Sequence, residues 1–284
     1  MILLDGKKLA ERIQKDVAKG VAELKRRTGA TPGLAAVQVG DNEASKVYVQ
    51  RKTKACAEVG MYSRTLELPG DLIEEALVRE IEKLNADPMI HGILVQLPLP
   101  KHIAADRILS TVSVGKDVDG FHVVNAGKLA VGRPGFVPCT PLGILRLLDE
   151  YKIPIEGAEA VIVGRSNIVG KPMAQLLLSR HAVVTICHSR TRDLKSFCRR
   201  ADILVAAVGR PRMIAEDWIK DGAAVIDVGM NRLDDGKLVG DVDFEAASKR
   251  AGWITPVPGG VGPLTIAMLL SNTLKAAQDI MEVG

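Results

Sequence analysis

The chain has 284 residues, of which 47% are hydrophobic and 25% charged, with a formal net charge of +4. At roughly 150 residues per domain this length reads as about two domains, each able to bury its own core. Aromatics are only 3% and the basic residues are mixed with acids, as in KDVAKGVAELKRR. That excludes the stacking platforms of a nucleic-acid binder and leaves room for a small anionic ligand.

The N-terminal MILLDGKKLAERI meets Asp5, Lys7 and Lys8 too early for a secretory leader. Leu9, Ile13, Val17, Val21 and Leu24 then recur at helical spacing, so residues 7–27 form an amphipathic helix that Gly29 and Pro32 end. GLAAVQVG (33–40) is a short apolar run closed by Gly40, a buried strand. SKVYVQRKTKACAEVG (45–60) is the next helix, and YSRTLEL alternates as a strand. DLIEEALVREIEKLNAD (71–87) is a helix with Asp71 as its cap. HGILVQLPLP is a second buried strand that Pro98 stops. Strands alternating with helices imply parallel βαβ construction.

The middle, VGKDVDGFHVVNAGKLAVGRPGFVPCTP, is rich in glycine and turn residues and reads as the crossing between domains. TPLGILRLLDEYK starts a helix with Thr140 as cap and Pro141 at the first position. From Ala158 the pattern restarts: strand AEAVIVG, helix VGKPMAQLLLSR, then strands AVVTICH, ADILVAAVG and GAAVIDVG. The last helix is GPLTIAMLLSNTLKAAQDIM. The two halves differ in pattern, so a cleft between two domains is expected.

AVIVGRSNIVGKP sets Gly164, Ser166 and Gly170 between a strand and a helix, where a dinucleotide-binding domain carries its glycine-rich turn. The motif is GxSxxxG rather than GxGxxG. The following helix is expected to aim backbone N–H groups at phosphate oxygens. The second strand ends in His188, Ser189, Arg190 and Thr191 with no carboxylate to hold a ribose hydroxyl. Ser189 with Arg165 and Arg190 therefore favours NADP over NAD.

Tyr48 and Lys52 lie four apart and share a helix face, while Lys54 points elsewhere. On this stretch alone they read as a snorkelling lysine beside a half-buried tyrosine. Gln96 ends a buried strand, where ligands of parallel sheets bind, and Asp117 and Asp119 sit in the turn-rich segment. Convergence of Lys52, Gln96, Tyr48 and Asp119 on one cleft would supply a base, its tuner, a ring to stack on and an anchor for an amidine-like heterocycle. A lysine acting as a base needs its proton affinity lowered by burial and neighbours. The five histidines are scattered without an HExxH motif, so no metal site is expected, and His91 and His102 read as structural. Cys56, Cys139, Cys187 and Cys198 form no CxxC, which favours a reducing cytoplasm. No apolar run approaches the ~18 residues of a membrane span.

YVQRKTKACAEVG, GILVQLPLP, KDVDGFH followed by NAGKL, CTPLG, VIVGRSNIVGKP, CHSRT, VIDVGMNR, GDVDF and PVPGGVGPLT occur in order along the chain. Together they resemble the bifunctional methylenetetrahydrofolate dehydrogenase/cyclohydrolase family in its short bacterial form. The resemblance implies an α/β fold of two domains. A catalytic, folate-binding domain over 1–120 is completed by the C-terminal helix 262–284. A Rossmann-type NADP-binding domain covers 140–260, with the active-site cleft between the two.

In that family, the resemblance implies, Lys52 is catalytic in the cyclohydrolase step, Gln96 pairs with it, Tyr48 packs on the pterin and Asp119 holds the pterin's amino-pyrimidine edge. Val95 and Leu97 flank the folate. The loop Pro258, Gly259, Gly260, Val261, Gly262, Pro263 and Thr265 closes on folate and nicotinamide. Gly164, Arg165, Ser166, Ser189 and Met230 bind NADP. Leu264 and Met61 are small, volume-conserving departures. A homodimer through the nucleotide domain and tetrahydrofolate derivatives as substrates are implied too. An NADP-dependent dehydrogenase of a small hydroxy or amino acid, and a non-catalytic nucleotide-binding protein, remain as alternatives.

Overall fold

A computed structural model describes residues 1–283. Gly284, the end of the expected C-terminal helix, lies outside the described residues. The chain divides into two compact units. One comprises Met1–Glu11, Leu129–Arg133 and Thr140–Thr265; the other comprises Arg12–Lys128, Pro134–Cys139 and the residues from Ile266 onward.

The second unit is built on a three-stranded parallel sheet. Gly33–Val39 lies in the middle, between Tyr62–Leu68 and Gly92–Val95. All seven residues of the central strand are buried, the pattern of a strand covered on both faces. Side chains alternate across the sheet. Ala35, Val37, Val39, Ile93 and Val95 therefore pack on one face against Leu77, Ile81 and Leu84 of the helix Glu74–Ala86. Each of those fully buried leucines and isoleucines contributes on the order of 1.5–3 kcal/mol. The opposite face carries Leu34, Ala36, Gln38 and Leu94. The helix Glu43–Glu58, capped by the Asn42 side chain on the Ser45 N–H, packs on this sheet.

The first unit is a six-stranded parallel sheet in the order Ile2–Leu3, Trp253–Ile254, Ala224–Asp227, Ile203–Ala206, Glu159–Val163, Val183–Cys187. Val161, Val163, Leu204, Ala206 and Val225 fill one side of it with Cys198, Ile214 and Ala247. No helix among the described residues is long and apolar enough to cross a membrane.

Ile2 and Leu4 donate to Gly252 and Ile254 carbonyls at 2.7 and 2.8 Å, so the first strand pairs into the six-stranded sheet. Several expectations need correction. Asp71 does not cap the helix after it. The chain makes a turn from Pro69 to Leu72, and the helix begins at Glu74, whose carboxylate accepts from the Ala104 N–H. The helix expected from Thr140 begins at Cys139, and Thr140 Oγ1 meets Thr265 Oγ1 at 2.8 Å rather than capping. The turn-rich middle contains a helix, Val123–Ala130. Its valines and glycine are weak helix formers, but His122 Nδ1 accepts the Val124 N–H at its start and Asn125 is anchored on Asp117.

Candidate active site

The helix Glu43–Glu58 separates its two nearby lysines by position alone. Lys54 has an 80% exposed side chain and meets Glu58 in solvent. Lys52 is 6% exposed. A buried charge needs partners, and Lys52 has them. Its Nζ donates to Gln96 Oε1 at 3.1 Å and lies 5.6 Å from the centroid of the Tyr48 ring. Burial raises the Tyr48 hydroxyl pKa, with Arg51 opposing.

Gln96 is fixed in turn. Its N–H continues the parallel ladder onto Val37 O at 2.9 Å, and its Nε2 donates to Leu97 O at 2.8 Å. That leaves the amide oxygen facing Lys52. Val95 points the other way, into the core, so it offers the Lys52 side only its backbone. Leu97 follows Gln96 beyond the strand end.

Asp117 and Asp119 look alike in sequence and differ in place. Asp117 Oδ1 accepts the Phe121 N–H, and its Oδ2 accepts from His122 N–H and Asn125 Nδ2. It is a turn anchor. Asp119 is also buried, and burial pushes its carboxyl up to about 6, with Lys52 opposing, Asp117 adding to the rise and a Cys139 hydrogen bond opposing it. Gly120 follows at φ +72°, where a side chain would press on Val137 and Pro138. Lys52, Gln96, Tyr48 and Asp119 thus come together in one unit.

Sequence reasoning missed the support behind Asp119. Cys139 Sγ donates to Val118 O at 3.4 Å, and burial with the nearby Asp119 raises the thiol pKa. Asn272 Nδ2 donates to Val118 O (2.8 Å) and Val137 O (3.2 Å) and reaches Cys139 Sγ at 3.6 Å. The motif CTPLG marked Cys139; nothing marked Asn272. His91 Nδ1 accepts the Gly33 N–H and His102 Nε2 meets Leu72 O, both structural. Among the described residues no group of three or more His, Cys, Asp or Glu could hold a metal ion.

The glycine-rich turn lies in the other unit. Gly164 has φ +131°, and a Cβ there would overlap Ala207 O; one at Gly170 would overlap Gly164 O. The turn is thus tight enough for a phosphate to approach backbone. The Val169 and Gly170 N–H groups, expected to face phosphate, are taken by Ser166 Oγ at 3.1 and 3.4 Å. Ser166 therefore shapes the start of the helix Gly170–Ser179. Arg165, Ser189, Arg190 and Met230 are all exposed, and the strand Val183–Cys187 ends without a carboxylate before Ser189. This donor set fits a phosphate-bearing dinucleotide. The loop Pro258–Thr265 also belongs to this unit. Gly259 has φ +105° and its carbonyl accepts the Lys7 N–H at 2.9 Å, while Val261 opens the C-terminal helix.

Two family models match the chain. The tetrahydrofolate dehydrogenase/cyclohydrolase catalytic domain matches residues 4–119, and the NAD(P)-binding domain of the same name matches 138–281. The chain belongs to the tetrahydrofolate dehydrogenase/cyclohydrolase family. A Polynucleobacter asymbioticus relative, bifunctional protein FolD, is 60% identical over 276 residues, 97% of each chain. The bifunctional methylenetetrahydrofolate dehydrogenase/cyclohydrolase of Campylobacter jejuni is 50% identical, with a TM-score of 0.97 over 99% of both chains. The Trypanosoma brucei dehydrogenase-cyclohydrolase, solved with NADP cofactor and an inhibitor, is 42% identical, with a TM-score of 0.96 over 99% of this chain and 98% of that one. The tetrahydrofolate dehydrogenase/cyclohydrolase family is thus matched over both units.

Proposed function

We propose that the chain oxidises 5,10-methylenetetrahydrofolate to the 5,10-methenyl cation with NADP⁺ and then hydrolyses that cation to 10-formyltetrahydrofolate. One observation carries the reading: a buried Lys52 amine, held at 3.1 Å by the Gln96 amide oxygen and over the Tyr48 ring, with the Asp119 carboxyl in its electrostatic reach. The family membership and the NADP-bearing relative support it.

Bound NADP⁺ supplies the acceptor for the hydride that leaves the methylene carbon. Gly164 lets the nucleotide come close to the backbone, and Arg165, Ser189 and Arg190 supply hydrogen bonds and positive charge for a 2′-phosphate. Met230 offers its backbone. Asp119 accepts N–H groups of the pterin's amino-pyrimidine edge, and the Tyr48 ring lies against the heterocycle. These contacts hold the substrate in position, which is the main requirement of hydride transfer. In the hydration step, water adds to the methenyl carbon and gives up a proton that passes through Lys52 Nζ; the bond from that carbon to N5 then breaks, the hydroxyl proton moving to N5 as the 10-formyl group forms. Gln96 keeps the amine in place. The loop Pro258, Gly259, Gly260, Val261, Gly262, Pro263 and Thr265 closes on the substrates, with Val95 and Leu97 beside the folate.

We also assign a homodimer in the cytoplasm. The strand Val183–Cys187 is a sheet edge with Val183 62% and Ile186 40% exposed, and Leu178 on the preceding helix is 58% exposed. An unpaired apolar edge favours pairing with a second copy. Val183→Asp with Ile186→Asp is expected to give monomers by light scattering. All four cysteines are free and buried, as suits a reducing compartment.

The test is direct. With NADP⁺ and 5,10-methylenetetrahydrofolate the purified chain should form NADPH, and it should hydrolyse methenyltetrahydrofolate without cofactor. No NADPH formation from this substrate would overturn the reading.

A further inference from the structure

Two buried carboxylates of the six-stranded unit take no part in the chemistry above. Asp241 is 0% exposed and Asp227 is 3% exposed. Backbone N–H groups hold them both. Asp241 Oδ2 accepts from Val208 (2.6 Å) and Gly209 (3.0 Å), and its Oδ1 accepts from Arg210 N–H (2.9 Å) and Asn231 Nδ2 (3.0 Å). Asp227 Oδ1 accepts the N–H groups of Gly229 and Asp241, and its Oδ2 accepts that of Val242, all at 2.9 Å. Side chains at Gly229 and Gly240 would overlap Asp241 and Asp227 respectively. The two glycines make room for the carboxylates.

The loops so held lie at the carboxyl ends of two inner strands of the sheet. Residues 208–210 leave the carboxyl end of Ile203–Ala206, and residues 228–231 leave that of Ala224–Asp227. Ligands of such sheets bind outside these ends. Ile203–Ala206 neighbours Glu159–Val163, whose exit is the Gly164 turn. Ala207 joins the two: its N–H donates to Val163 O at 2.8 Å, and its carbonyl occupies the space beside Gly164.

We propose that Asp241 is a positioning residue of the NADP site: one carboxylate gathers three consecutive N–H groups of residues 208–210 and the Asn231 amide, fixing the 208–210 loop to the loop that carries Met230. This rests on the NADP reading above. An ionised carboxylate is acceptor only, whereas a carboxamide turns a donor toward one pair of those N–H groups. Asp241→Asn therefore releases one loop without emptying the space.

The experiment uses the enzyme's second activity as an internal reference, since hydration of the methenyl substrate needs no nicotinamide. For Asp241→Asn, NADPH Kd from a fluorescence titration and NADP⁺ KM should rise about tenfold or more. Cyclohydrolase kcat/KM should stay within about twofold. Asn231→Leu, which removes a single contact, should weaken NADPH binding about two- to fivefold and decides the matter if Asp241→Asn does not fold. Unchanged NADPH affinity in a folded variant would overturn the proposal. So would cyclohydrolase activity falling in step with affinity, which marks general support of the fold. Wild-type oxidation of methylenetetrahydrofolate is measured alongside. Its absence would sink the functional reading, while the NADPH titration still judges Asp241.

Discussion

Asp119 and Asp227 sit in different units, and burial pushes both carboxyls up to about 6. The direction of the shift and its leading cause, burial, are alike; the company is not. Asp227 is met by three backbone N–H groups. Asp119 has a thiol and a neighbouring lysine amine. A carboxylate saturated by its own backbone serves the fold, and one left short of donors is kept for something that brings them. The same contrast separates Asp119 from Asp117, two residues away, which accepts from two backbone N–H groups and Asn125.

The largest test of that contrast is at Lys52. Lys52→Met should lower cyclohydrolase kcat about 10²–10⁴-fold, with dehydrogenase turnover falling less; full cyclohydrolase activity in this variant removes Lys52 from the mechanism. Next come the two aspartates. Asp227→Asn turns a donor toward buried N–H groups and should cost about 2 kcal/mol, a Tm drop of about 4–8 °C by calorimetry. Asp119→Asn removes a desolvated charge and should raise Tm at pH 7 by about 2–4 °C, near 1 kcal/mol, while weakening folate binding. A Tm that falls in both variants would erase the distinction.

The pH dependence follows the same logic. Both folded carboxyls hold their protons more tightly than the unfolded chain does, whose value is 3.8. Their contribution is therefore fully present below about pH 4 and is lost as pH rises through about 6. Asp119→Asn should flatten part of that decline in denaturant titrations. The acid limb of cyclohydrolase activity near pH 6 should be missing from the variant as well. The smallest effect is expected at the exposed neighbour: Lys54→Met should change stability by less than about 0.5 kcal/mol and leave both rates unchanged.

Periodicity made much of the fold legible. The apolar run 33–39, the helix around Lys52 and the alternation of 62–68 each carry their own spacing, and the structure has them there. Two-residue strands at Ile2–Leu3 and Trp253–Ile254 are too short to show a period. The helix Val123–Ala130 is held by tertiary bonds that local propensity does not encode. In the candidate site, residue types and the ordered motifs singled out Lys52, Gln96 and Asp119. The pairing of Gln96 with Lys52 was legible through the resemblance; the bonds behind Asp119 were not, because donors such as Asn272 come from 154 positions beyond the Val118 carbonyl they reach. Nor could alternation within GILVQLP say that Val95 faces the core until the neighbouring helix was placed.

The short strand at the start of the chain has one more consequence. Ile2 and Leu4 satisfy carbonyls of Gly252 and Ile254, and Leu4 is fully buried. Trimming those first four residues, as an aggressive protease or a misplaced start codon would do, strips the cover from Trp253–Ile254. The bared backbone then becomes a template for intermolecular strand addition, so a truncated preparation should betray itself first by clumping.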